Sequence, residues 1–142
     1  MLNPNKYVRK AYLTLLAGIS VPIFNRRIPI NLTIPETYIL ISSQSTNISR
    51  ENKCGHGWEV SVTLDIVSTQ DVSFVDVGKV DDIEQEISDR LDLWTNSQTE
   101  IEIPPFVVYH TTFQNSQDFE LETDTQTQLR KVVRYNHILN GI

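Results

Sequence analysis

At 142 residues the chain can close one core but hardly two, and its 39% apolar and 21% charged residues are ordinary for a soluble globular fold. A net charge of −6 makes it a poor grip for nucleic acid, whose affinity comes largely from neutralised phosphates, though like charge suits a surface that DNA must slide past. A single cysteine excludes an internal disulfide framework and agrees with a reducing cytosol, and no apolar run approaches the roughly 18 to 20 residues that span a bilayer.

The N-terminal stretch "MLNPNKYVRKAYLTLLAG" interleaves Tyr7, Arg9, Lys10 and Tyr12 with its apolar residues, so it reads as an amphipathic helix rather than a signal peptide. Asn3 can cap, Pro4 suits the first helical position and Gly18 suits the residue just past the end. Val8, Ala11, Tyr12, Leu15 and Leu16 fall on one face. Pro22, Pro29 and Pro35 follow in "VPIFNRRIPINLTIPET", which a central strand cannot hold, so this is extended, edge-like chain broken by turns. "TYILISSQ" (37–44) is rich in β-branched and aromatic residues and predicts a strand.

A polar loop, about 44–57, is expected next, projecting from the domain. After it comes the clearest pattern in the chain. Trp58, Val60, Val62, Leu64 and Ile66 are apolar; Glu59, Ser61, Thr63 and Asp65 between them are polar. Strict period two predicts a long antiparallel strand with one buried and one wet face.

The period then changes. Phe74, Val77, Val80, Ile83, Ile87, Leu91 and Trp94 recur at intervals of three and four, giving a helix with one apolar stripe, and Gly78 marks either its start or a kink. Opposite lie Asp76, Asp81, Asp82, Glu84, Glu86, Asp89 and Asp92, read as a solvated or interfacial face. "TEIEI" (99–103) is a candidate short strand, and 106–113 a further one. The acidic stretch 114–126 reads as a connection, and 128–140 as a last strand. There Val133, Tyr135, His137 and Leu139 share one face, and Arg130, Arg134 and Asn136 the other. The expected fold is therefore one α+β domain over 1–142. Its mainly antiparallel sheet has about four to five strands, with two helices on one face.

No catalytic constellation emerges. Cys54 and His56 lie two apart in a loop flanked by Gly55 and Gly57. Structural metal sites need about four ligands, usually as two spaced pairs. A Cys–His catalytic pair normally joins distant segments, so the turn reading is preferred. Asp81 with Asp82 invites general acid–base chemistry, but a helix lined with carboxylates is more simply a charged face. Arg26 and Arg27 are too few for a nucleic-acid footprint and fit an ion pair with a neighbouring chain. Phosphate-loop, dinucleotide, zincin and nucleophile-elbow motifs are all missing, so neither enzyme nor cofactor is expected.

The layout as a whole resembles the tail-terminator (tail-completion) family of tailed bacteriophages over nearly the whole chain. The resemblance is carried by a short helix ending "LLAG", a proline-broken stretch, "YILIS", "G.WEVSVTLDIVS", "VGKVDDIEQEISDRL" and "VRYNHIL" near the terminus. The Cys-Gly-His turn and the long acidic connection depart from it. The resemblance implies a virion protein made in the host cytoplasm. It forms a ring, typically a hexamer, that closes the tail tube and joins it to the head. Its partners would be its own copies, the tail tube protein, head-completion proteins and DNA passing without specific binding, with no membrane. On that reading Arg26, Arg27, Asn47, Arg50, Glu51, Lys53, Asp118 and Glu120 would serve subunit or partner contacts, and Asp81, Asp82 and Glu86 would face the lumen. The alternatives are another neck ring (adaptor, stopper or connector below the portal), a small cytosolic ligand-binding module, and an enzyme using Cys54.

Overall fold

The computed structural model describes residues 2–49, 57–73, 75–91 and 101–140. The fold is α+β. In chain order the elements are α1 (Asn5–Leu15), β1 (Ile23–Asn25), β2 (Thr37–Ser49), β3 (Gly57–Asp71), α2 (Gly78–Leu91), β4 (Val107–Glu122) and β5 (Gln126–Asn140). They build one five-stranded sheet in the order β1-β2-β3-β5-β4. All neighbours are antiparallel except β1 and β2, which run parallel.

The alternating stretch becomes β3, the centre of the sheet. Its even residues Val60, Val62, Leu64 and Ile66 are fully buried. They stand opposite His137, Tyr135, Val133 and Lys131 of β5, and Ile41 and Ile39 of β2 extend the same face. α1 adds Val8, Ala11 and Tyr12; α2 adds Val80, Ile83, Ile87 and Leu91, so both helices close one core on one side. Of the expected α2 stripe, Val77 lies outside, 60% exposed just before the helix begins at Gly78, while Phe74 and Trp94 fall outside the described residues.

The helices are tied at their ends by side chains rather than by propensity. Asn3 Oδ1 accepts the Asn5 N–H at 2.9 Å, one residue later than the sequence pattern implies, because the first helical residue is Asn5. Gly18 takes φ +79°, the left-handed geometry that ends α1. The carbonyls left open there, of Leu15 and Ala17, accept from Arg90 Nη1 at 3.2 and 3.1 Å. Ser20 donates its hydroxyl to Glu86 Oε1 at 2.6 Å. At the start of α2, Asp76 Oδ1 accepts from the Gly78 amide, and the Gln70 side chain bonds both the Asp76 N–H and its carbonyl.

Four expectations are corrected. The loop taken as 44–57 is strand as far as Ser49, paired in register with Gly57–Val62. Its polarity has a packing cause: Gln44 and Thr46 face α1, where they meet Arg9 and Asn5 by hydrogen bonds. The acidic connection 114–126 is likewise strand through Glu122, with a turn at 123–125, because pairing to β5 on one side is enough to hold it. Of the described part of 99–103, residues 101–103, only Ile103 joins a bridge, to Phe106. Finally, the wet face of β3 is drier than alternation implies. Thr63 and Asp65 are buried, since Arg130 and Arg134 cross them: Arg130 Nε and Nη2 reach Asp65 Oδ2 at 3.1 and 2.5 Å, and Arg134 Nε reaches Thr63 Oγ1 at 3.2 Å.

Candidate assembly interface

The two margins of the sheet are unlike each other. On one side β1 is only three residues long, and it ends at Arg26, whose φ of +70° is a left-handed geometry costing a residue with a Cβ about 1–2 kcal/mol. The Arg26 amide still bonds Ile41 O at 2.9 Å, and the chain returns to the sheet at Glu36, whose carbonyl accepts from the Thr69 N–H at 2.8 Å; residues 27–35 between them form an arm outside the strand ladder. This arm turns at 29–32, where the Leu32 N–H bonds Pro29 O at 3.1 Å, and carries Ile30, Leu32 and Ile34, with Ile30 fully exposed and Ile34 67% exposed. Pro29 and Pro35 remove two amides from it, so it cannot form a regular inner strand. Arg26 and Arg27 are exposed, and their guanidinium groups have no partner among the described residues.

On the other side lies β4, 16 residues long and, among the described residues, paired only with β5. Register shifts between Val108 and His110 and between Phe113 and Asn115 bend it. Only Thr111 of β4 is buried. Val107, Tyr109, Phe113, Phe119 and Leu121 stay exposed, an unusual load of apolar side chains for a free edge. Asp118, Glu120 and Glu122 give its distal half a negative charge.

Between the sheet and α2 sits a cluster that sequence reasoning missed. Lys131 is buried on the apolar face of β5, and its Nζ lies 2.5 Å from Asp81, 3.0 Å from Glu84 and 3.3 Å from Asp118. Burial alone would pull the Lys131 ammonium down, but the carboxylates of Asp81 and Glu84 overcome that and hold it above its ordinary value. The signal was present: Lys131 shares the period-two face of Val133 and Tyr135, and a cation there requires carboxylates from above. This corrects the solvated-face reading of α2 in part. Asp81 and Glu84 hold the sheet, Glu86 holds Ser20, and Asp82 and Asp89 remain on the open side.

His137 is fully buried between two hydroxyls, the Tyr12 phenol at Nε2 and Thr111 Oγ1 at 2.9 Å from Nδ1. Neither brings a charge, and burial pulls the imidazole down to about 4. Burial, with Tyr135 nearby, raises Tyr12; Tyr135 itself is pushed up to about 12 chiefly by burial. Tyr12, His137 and Thr111 are buried and bonded to one another, so they read as core polar groups.

The remaining predicted residues scatter. Asn47 is exposed on β2 and Glu120 on β4, whereas Arg50, Glu51, Lys53, Cys54 and His56 fall outside the described residues. His110 is exposed on β4. Among the described residues no three histidine, cysteine or carboxylate side chains are placed to hold a metal ion. A cleft of about 650 Å³ is lined, among the described residues, by 101–109, where Glu102 is the one carboxylate. No helix among the described residues is long and apolar enough to cross a membrane.

No protein-family model matches the chain, and no curated protein matches its sequence. In fold it is similar to a chain from the virion of a native gene transfer agent particle. The TM-score is 0.62 at 11% identity, over 96% of this chain and 91% of that one.

Proposed function

We propose that this chain is a structural subunit of a phage-like virion. Its role there is a tail terminator: a ring, typically of six copies, that closes the tail tube and joins it to the head. The observation that carries this reading is a fold likeness spanning 96% of the chain and 91% of a gene transfer agent virion component. Two unlike, exposed sheet margins agree with it, because head-to-tail contacts between different surfaces generate rings when the rotation between copies closes. The reading calls for no catalysis, and the buried Tyr12, His137 and Thr111 bond one another.

The other neck rings, adaptor, stopper or connector, share this logic and differ in position. In the terminator reading, 26–36 and β4 serve neighbouring copies, and the β2–β3 hairpin tip around Asn47 meets the tube or the head. Asp82 and the carboxylates beside it line the lumen, repelling DNA enough to let it slide.

Electron microscopy of the purified protein, alone and mixed with tail tubes that lack a terminator, tests the proposal. Rings that seat on one tube end and restore head joining are the expected result. Rings that bind the portal side instead would move the assignment to an adaptor or stopper. A protein that forms no ring and touches neither structure would overturn it.

A further inference from the structure

The two margins also match chemically. The arm carries Arg26 and Arg27 at its root and one carboxylate, Glu36, at its far end, where Lys79 Nζ lies 3.6 Å from it; residues 107–125 contain Asp118, Glu120, Glu122 and Asp124 and no lysine or arginine. Each margin also exposes apolar side chains: Ile30, Leu32 and Ile34 on the arm, and on the acidic half of β4 Leu121 and Phe119, the latter half-exposed with the Arg130 guanidinium over its ring. β1 and β4 are the two outer strands of the sheet, so the root of the arm and the β4 edge stand at opposite margins; only the arm's end, residues 34–36, lies near Thr125 and Gln126 at the β4–β5 turn of the same copy.

We propose that the arm of residues 26–36 in one copy docks along the distal, acidic half of β4 in the next. The arm places Ile30, Leu32 and Ile34 against Phe119 and Leu121, and its arginines beside Glu120 and Glu122. This deepens the ring reading and rests on it. The contact joins different surfaces, so every copy gives an arm and receives one; the rotation between copies then sets whether the series closes. Unpaired N–H and C=O groups along β4 supply the polar part, while Pro29 and Pro35 keep the arm from extending the sheet further and so blunt the open edge of a free subunit. Arg26, held left-handed at the root, sets the direction in which the arm leaves.

The test uses two charge-reversed forms of the full chain, R26E/R27E and E120K/E122K, beside the unaltered protein, by sedimentation at low salt over a concentration series. All four positions are exposed, so circular dichroism should show both variants folded. The unaltered chain assembles. Each variant alone needs at least tenfold more protein to do so, because like charges now face each other. Mixed in equal amounts they assemble again, since each arm then finds an edge of opposite charge, and the alternating ring contains equal numbers of the two. A chain carrying all four reversals also assembles. If one variant fails to fold, I30D/I34D, at exposed arm positions, replaces it and must weaken assembly in the same way. Unaltered assembly in every variant would overturn this contact while leaving the ring reading intact. An unaltered chain that stays monomeric at all concentrations would overturn both.

Discussion

β3 and β4 are nearly equal in length, and each belongs to the same sheet, yet their surroundings differ completely. β3 is flanked by β2 and β5 and covered by both helices, so nearly every residue is buried. β4 is flanked by β5 alone and is exposed along almost its whole length. Burial at about 25 cal/mol per Å² of apolar surface can account for the sequence of β3. It cannot account for Val107, Tyr109, Phe113, Phe119 and Leu121 on β4, which add little to the stability of one copy. Burial explains the apolar residues of β3, whereas those of β4 stay largely in solvent, with Phe113 against Tyr135 and Phe119 under Arg130, and form the surface that the proposed contact between copies would use.

The comparison breaks or sharpens at measurable points. The largest effect belongs to Leu64→Ala at the sheet centre, where a fully buried side chain leaves a cavity. It should cost roughly 2–5 kcal/mol in urea unfolding of the monomer. A cost below 1 kcal/mol would mean the centre is loosely packed and the contrast is false.

Acid should act next, through the core face. His137 is about 4 when folded and 6.5 when free, so the unfolded chain binds the proton first. The stabilising contribution is complete above about pH 6.5 and is lost progressively as pH falls towards 4, reaching about 2 kcal/mol lost at pH 5. Thermal unfolding between pH 7 and pH 5 measures it. A His137→Gln chain, though less stable overall, should show a flatter profile over that window.

The clamp comes third. Lys131→Ala removes the cation that Asp81, Glu84 and Asp118 share, leaving their charges facing one another. Because Asp81 and Asp118 are largely in solvent, the expected loss is about 1–2 kcal/mol rather than that of a fully buried pair. Lys131→Met should recover the packing part, and the difference between the variants isolates the charge.

Smallest of all is Phe119→Ala on β4, with an expected change within about 0.5 kcal/mol for the monomer. The same substitution should visibly weaken assembly. If it destabilises the isolated subunit as much as Leu64→Ala does, β4 is part of the core after all and the contrast between the strands disappears.

Local pattern was enough for much of this fold. Period two from Trp58 to Ile66 specified β3, the recurrence of Val80, Ile83, Ile87 and Leu91 specified α2, and Gly18 ended α1, because each signal depends only on which side chains leave water or which φ the backbone needs. The same reasoning missed the ends of β2 and β4. Residues 44–49 and 114–122 are polar for different reasons, one facing the polar flank of α1 and the other facing solvent on both sides. Neither reason is visible without knowing the neighbours. What the chain alone determined, then, is its class, its buried face and its helices. That β1 lies parallel to β2, that Lys131 gathers carboxylates 50 and 13 residues away in sequence, and that a basic arm and an acidic edge stand at opposite margins were decided only by the tertiary structure. Those relations depend on which strands become neighbours, and strand order is set by the closure of the whole core rather than by any local segment.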